Sequence, residues 1–108
     1  MELEYDRPGH ALGSLNGVKI EGFCLPVPPS HLIFITAPCG FLGCGFFDMR
    51  TFDRLKIPAV RITGVSTLEE LLAGKISEIT ASAETLGVRV EMTGYDALML
   101  FCLDKQHL

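Results

Sequence analysis

His31-Leu32-Ile33-Phe34-Ile35-Thr36-Ala37, then Pro38-Cys39-Gly40, then Phe41-Leu42-Gly43-Cys44-Gly45-Phe46-Phe47 is the stretch on which the fold turns. Two short apolar runs flank a turn trio, which reads as a β-hairpin. Pro38 supplies the fixed φ of a first turn position and Gly40 the left-handed conformation that closes a three-residue loop. Ala37 is then expected opposite Phe41. In that register Leu32, Phe34 and Thr36 share a face with Phe46, Cys44 and Leu42, and His31, Ile33 and Ile35 share the other with Phe47, Gly45 and Gly43. Both faces are largely apolar, so both need cover. Helices are expected on one and a second copy of the chain on the other, where Gly43 and Gly45 leave a shallow groove.

Working outward, Gly22 to Phe47 contains no Asp, Glu, Lys or Arg over 26 residues, long enough for a membrane helix. Pro26, Pro28, Pro29 and Pro38 with Gly40, Gly43 and Gly45 would break such a helix where lipid offers no substitute hydrogen bonds. Buried strands are therefore expected. Upstream, residues 1–16 are an extension of ambiguous structure, and a domain over 17–108 opens on a strand from Val18 that Pro26-Val27-Pro28-Pro29 ends. Downstream, Asp48 caps a short helix over Met49 to Leu55, and Ala59 to Thr63 reads as a strand. Ser66-Thr67-Leu68-Glu69 reads as a capping box for a helix that Gly74 ends. Lys75 to Thr80 and Val88 to Met92 read as strands, with a short helix over Ser82 to Leu86 closed by Gly87. Tyr95 to Leu103 is a last helix, with Tyr95, Leu98, Met99 and Cys102 on its apolar face. The fold class is α+β: a mixed sheet with a central hairpin and short helices packed on one face of one compact domain.

The chain has 108 residues, 48% of them hydrophobic and 20% charged, where about 25% charged is usual. Its mean hydropathy is +0.35. We read the surplus as subunit interface, which predicts a homo-oligomer. The net charge of −4 divides evenly between the halves, and no two basic residues are adjacent. Nucleic acid and anionic membranes need clustered Lys and Arg, so neither is an expected partner. Cys24, Cys39, Cys44 and Cys102 have neither metal-ligand pairing nor the density of a disulfide framework. The acidic start, Met1-Glu2-Leu3-Glu4-Tyr5-Asp6, is unlike a secretory signal. A cytoplasmic chain with free thiols is expected, with no metal and no cofactor.

Gly40-Phe41, Cys44-Gly45-Phe46, Thr63-Gly64-Val65 with Thr67 and Leu71, Leu86-Gly87-Val88 and Met92-Thr93-Gly94 with Ala97-Leu98 form an ordered set. From about Gly17 to Leu103 this order resembles the YunC-like family of small bacterial and archaeal domains of unknown function. The resemblance implies a compact mixed α and β domain and carries over no catalytic residue. Family members often have Tyr where this chain has Phe46.

Cys44 is the candidate catalytic residue: Gly43 and Gly45 bare the backbone beside it, and the amides of a helix beginning at Asp48 would favour a thiolate. The plainer reading makes it a small hydrophobe on a buried strand. A nucleophilic thiol needs a base, and the expected register puts His31 on the other face. Thr63-Gly64 and Thr93-Gly94 each end a strand before a helix, where free amides can meet an anion. Capping explains the same residues without a ligand. Gly43, Gly45, Thr63, Gly64, Thr93 and Gly94 are thus the candidate ligand-binding residues. Two readings follow. One is an oligomeric small-molecule-binding protein or thiol-dependent enzyme, with its site near Cys44 and the Thr-Gly loops. The other is a non-catalytic self-association or protein-interaction domain.

Overall fold

A computed structural model describes residues 2–103. Its centre is the expected hairpin in a different register. β4 (Ser30–Ala37) and β5 (Gly40–Gly43) are antiparallel, with Thr36 opposite Phe41 and Ala37 opposite Gly40. The turn therefore holds two residues, Pro38 and Cys39, which corrects the three-residue loop. Gly40 lies in the strand beneath the Phe101 ring, where a Cβ would come within 2.2 Å of ring carbons. A one-residue change of register exchanges the faces of one strand relative to the other. Ile33 and Ile35 share the core face with Leu42 and Cys44, while Phe34 and Thr36 share the opposite face with Phe41 and Gly43.

Three antiparallel strands precede the hairpin: β1 (Glu4–Arg7), β2 (His10–Leu15) and β3 (Val18–Val27). The first 16 residues thus contribute two strands, and Ala11 and Leu15 enter the core. β3 runs on through Pro26 and pairs with β4 to Val27 opposite Ser30. After β5 the chain crosses through α1 (Met49–Arg54) to β6 (Ala59–Arg61), parallel to β5, and β7 (Glu78–Ile79) completes a seven-stranded sheet in sequential order. The charge-free stretch is thereby used up in strands and turns. No helix among the described residues is long and apolar enough to cross a membrane.

The core lies between one sheet face and two helices, α2 (Leu68–Ala73) and α4 (Gly94–Phe101). Leu68 and Leu71 of α2 and Ala97, Leu98 and Phe101 of α4 are buried against Ile20, Ile33, Ile35, Leu42, Val60 and Ile62. Tyr95 is 37% exposed, so the buried stripe of α4 runs through Gly94, Ala97, Leu98 and Phe101 instead of Tyr95 and Met99. A fourth helix, α3 (Ala81–Thr85), contributes Ala83 to the core. The predicted strand over Val88 to Met92 is a turn region instead: Glu91 has φ 84° and donates to the Ile76 carbonyl, which itself ends no strand. Of Lys75 to Thr80 only Glu78 and Ile79 are strand.

The helix cap before α2 is displaced by one residue from its expected place. Thr67, not Ser66, is the N-cap, its hydroxyl accepting from the Glu70 amide, while the Glu70 carboxylate accepts from the Ser66 amide. Glu69 is consequently free of capping and turns to other work.

The second sheet face is a row of rings. His10, Phe23, Phe34 and Phe41 follow one another across β2 to β5 with centroids 5.0, 4.8 and 5.7 Å apart, and Phe47 packs edge-on to Phe34 and Phe41. Phe52 of α1 stacks on Phe41 at 4.7 Å. The five phenylalanines remain partly exposed, and Leu12 and Leu25 on the same face are 46% and 43% exposed.

Candidate functional site

Cys44 follows the last paired residue of β5, and its environment comes from the way that strand ends. The Cys44 amide donates to the Ile33 carbonyl, but the Cys44 carbonyl has turned away to accept from Phe47. The Ile33 amide donates instead to the Cys44 Sγ at 3.4 Å. The thiol thus substitutes for a carbonyl in the ladder, and the residue is 3% exposed.

Gly43 lies beneath the rings: a Cβ there would come within 2.7 Å of both Phe41 and Phe47, so the expected groove is filled by phenylalanine. Gly45 lies beside Thr63, since its Cβ would meet the Thr63 methyl at 3.6 Å. That neighbourhood follows from parallel pairing of β5 and β6, with Gly43 opposite Arg61. Arg61 spans the gap, donating to the Gly45 carbonyl and pairing with Glu78. The Thr63 hydroxyl meets that of Ser77, and Gly64 takes φ +77° with open space around it.

Thr93 and Gly94 sit apart from this group. The Thr93 hydroxyl accepts from the Asp96 amide and the Asp96 carboxylate accepts from the Thr93 amide, a complete capping box. Gly94 is buried where α4 crosses α2; a Cβ would come within 2.3 Å of the Leu71 carbonyl. The structure therefore brings Gly43, Cys44, Gly45 and Thr63 together around the ends of β5 and β6 and puts Thr93 and Gly94 in the helix-packing layer.

Two strands across from Cys44, on the same face, Cys24 of β3 pairs with the same Ile33 that Cys44 faces. It lines a 480 Å³ cleft together with Tyr5, His31, Thr67 and Glu69. Four elements supply these groups: β1 brings Tyr5, the adjoining parts of β3 and β4 bring Cys24 and His31, and the start of α2 brings Thr67 and Glu69. Pro8 and Gly9 in the β1–β2 turn wall the cleft, and the Gly9 carbonyl accepts from the Cys24 amide at 2.9 Å. The Tyr5 hydroxyl donates to the Glu69 carboxylate at 2.9 Å. Burial, and then that bond, push the phenol up to about 12, which keeps it a proton donor at neutral pH. Burial also raises the Cys24 thiol above its ordinary value, followed by the influence of Cys44 and Glu69. Cys24 is thus a neutral thiol at pH 7, suited to contact a ligand more than to attack one.

No spacing in the sequence announces this cleft. Tyr5 and Glu69 are 64 positions apart, and the assignment of Glu69 to a cap concealed its side chain. His31 and Cys44 do share the core side of β4 and β5, contrary to the expected register. His31 opens onto the Cys24 cleft, while Cys44 is enclosed behind it.

A sequence profile of a family described as a domain of unknown function, DUF1805, matches residues 43–101. The chain is 30% identical over 95 residues to the uncharacterised protein YunC of Bacillus subtilis, an alignment covering 80% of this chain and 94% of that one. Its fold is similar to the crystal structure of a protein of unknown function from Thermoplasma acidophilum, with a TM-score of 0.79 at 23% identity, covering 88% of this chain and 96% of the other.

Proposed function

The chain belongs to the DUF1805 family of domains of unknown function, so no reaction is inherited from its relatives, and we propose that it is a small-molecule-binding protein whose ligand enters the Cys24 cleft. The convergence of Tyr5, Cys24, His31 and Glu69 on one 480 Å³ opening beside Cys44 carries this reading. A cleft of that size with a few convergent polar groups is the usual form of a ligand site. Cys44 lies behind the cleft and accepts from the amide of Ile33, the residue paired with Cys24. Gly43, Gly45, Thr63 and Gly64 shape the neighbouring strand ends, and Thr93 and Gly94 brace the helices. A thiol-dependent reaction has less support, because the Cys24 thiol, which lines the cleft, is raised away from the thiolate. The test is a thermal-shift screen of small metabolites on the wild type, Cys24→Met and Glu69→Gln. Compounds that stabilise the wild type are expected to lose their effect on both variants. Equal stabilisation of all three, or none of the wild type, overturns the reading.

A second reading, compatible with the first, has its own observation. The partly exposed phenylalanine row makes self-association the role best suited to the other sheet face, with a second copy of the chain as occupant.

A further inference from the structure

At the opposite end of β4 from Cys24, the hairpin turn overhangs a second cleft of 540 Å³. Ala37, Phe41, Phe52, Leu86, Leu100 and Phe101 contribute to its walls, drawn from β4, β5, α1, the end of α3 and α4. Lys56 is the one charged residue of that lining among the described residues. Its side chain has no ion pair or hydrogen bond among them, as is true also of Lys19, Arg54 and Lys75, but of these only Lys56 stands in that lining.

The backbone at Lys56 is also unusual. α1 ends with the Lys56 amide donating to the Asp53 carbonyl and the Ile57 amide to that of Phe52, which forces Lys56 to φ 59°. Glycine is the residue that fills this helix-ending position at least cost. A lysine stands there instead, at the rim of an apolar cleft.

From these observations we propose that the cleft binds a small amphipathic carboxylate, with a hydrocarbon or aromatic body against the phenylalanine and leucine walls and its carboxylate on the Lys56 ammonium. Volume, apolar walls and one cation select this chemistry. A single unpaired cation balances a monoanion, while the net charge of −4 opposes polyanions such as nucleotides. The cavity lies within the about 300–1,000 Å³ typical of small-molecule sites. This inference is independent of the Cys24 cleft, with which it shares no lining residue.

The experiment is a titration of the ¹⁵N-labelled protein with octanoate and, separately, with octanol, followed by amide chemical shifts. Octanoate is expected to shift the amides of residues 39–41, Lys56 and Ile57 saturably and to bind about tenfold more tightly than octanol. Lys56→Gln is expected to remove that preference while leaving octanol binding unchanged, and Lys56→Arg to restore most of it. Equal affinity for the two compounds overturns the proposal, as does octanoate binding that Lys56→Gln leaves intact. Shifts confined to Phe23 and Phe34 on the sheet face overturn it too. Amide shifts at residues 39–41, Lys56 and Ile57 that follow protein concentration instead of octanoate assign the cleft to a second copy and have the same force.

Discussion

His10 packs beneath the edge of the sheet with a carboxylate on each ring nitrogen, Asp6 Oδ1 at 2.6 Å from Nδ1 and Glu21 Oε2 at 2.7 Å from Nε2. The imidazolium form satisfies both, tying β1 to β3 across β2. Its pKa is raised above the ordinary 6.5, first by the Glu21 bond and then by Asp6, against the opposing cost of burial. A raised folded value means the stabilisation is fully present below 6.5 and fades as pH climbs through the folded pKa. Asp6 acts with the opposite sign: its pKa is lowered from 3.8, chiefly by the His10 bond, so its contribution is lost as acid protonates it. Melting temperature is therefore expected to decline above pH 6.5 in the wild type and to lose that decline in His10→Gln. An NMR titration of His10 showing a midpoint at or below 6.5 contradicts this account. Gly94 offers a second prediction, since the Leu71 carbonyl leaves no room for a Cβ. Gly94→Ala is expected to destabilise the protein in urea melts by about 1–3 kcal/mol through overpacking, without any ligand being involved.

Helix caps make the sharpest test among the elements. Because the Thr67 hydroxyl holds the Glu70 amide, Thr67→Ala is expected to cost about 1 kcal/mol in chemical denaturation, and Ser66→Ala to change stability by less than about 0.5 kcal/mol. The reverse ranking restores the original Ser66 cap. The same pair shows what local sequence can and cannot specify. Asp48 before α1 and Gly87 after α3 stand where side-chain chemistry predicts, because capping needs only near neighbours. At Ser66-Thr67 two capping residues stand side by side, and the long-range hydrogen bond from Tyr5 to Glu69 goes with the second choice. The hairpin register was ambiguous for a related reason. Pro38-Cys39-Gly40 accepts a loop of either length, and with apolar residues on both faces the hydrophobic pattern pins neither. The Phe101 ring over Gly40, 61 positions away, decides it. Val88 to Met92 has strand composition but among the described residues meets only Lys75 and Ile76, through the single bridge of Lys75 with Thr93 and the Ile76 hydrogen bonds to Glu91 and Met92, which is too little for a ladder. The candidate site divides likewise: the glycines around Cys44 and the Thr93 cap are local and legible, whereas Tyr5, Cys24, His31 and Glu69 meet only through the fold.

The whole molecule has a radius of gyration of 12.8 Å, close to the about 13 Å expected for a compact chain of this length. Its apolar surplus therefore does not come from failure to collapse. It lies where α2 and α4 cover only one face of the sheet and leave α1 to cover the end of the other. Leu12 and Leu25 flank the rings on the open face, and burying them with the partly exposed phenylalanines would remove a contiguous apolar surface from water. A second copy of the chain would present the same surface, so the proposed self-association is expected to join ring row to ring row about a two-fold axis. Sedimentation at micromolar concentration is expected to show a dimer or larger species. Leu12→Lys with Leu25→Lys is expected to shift it to monomer with an unchanged circular-dichroism spectrum, because both side chains already reach solvent. A wild type that sediments as a monomer removes self-association from the readings while leaving the Cys24 cleft untouched. A double variant that stays associated moves the interface away from this face.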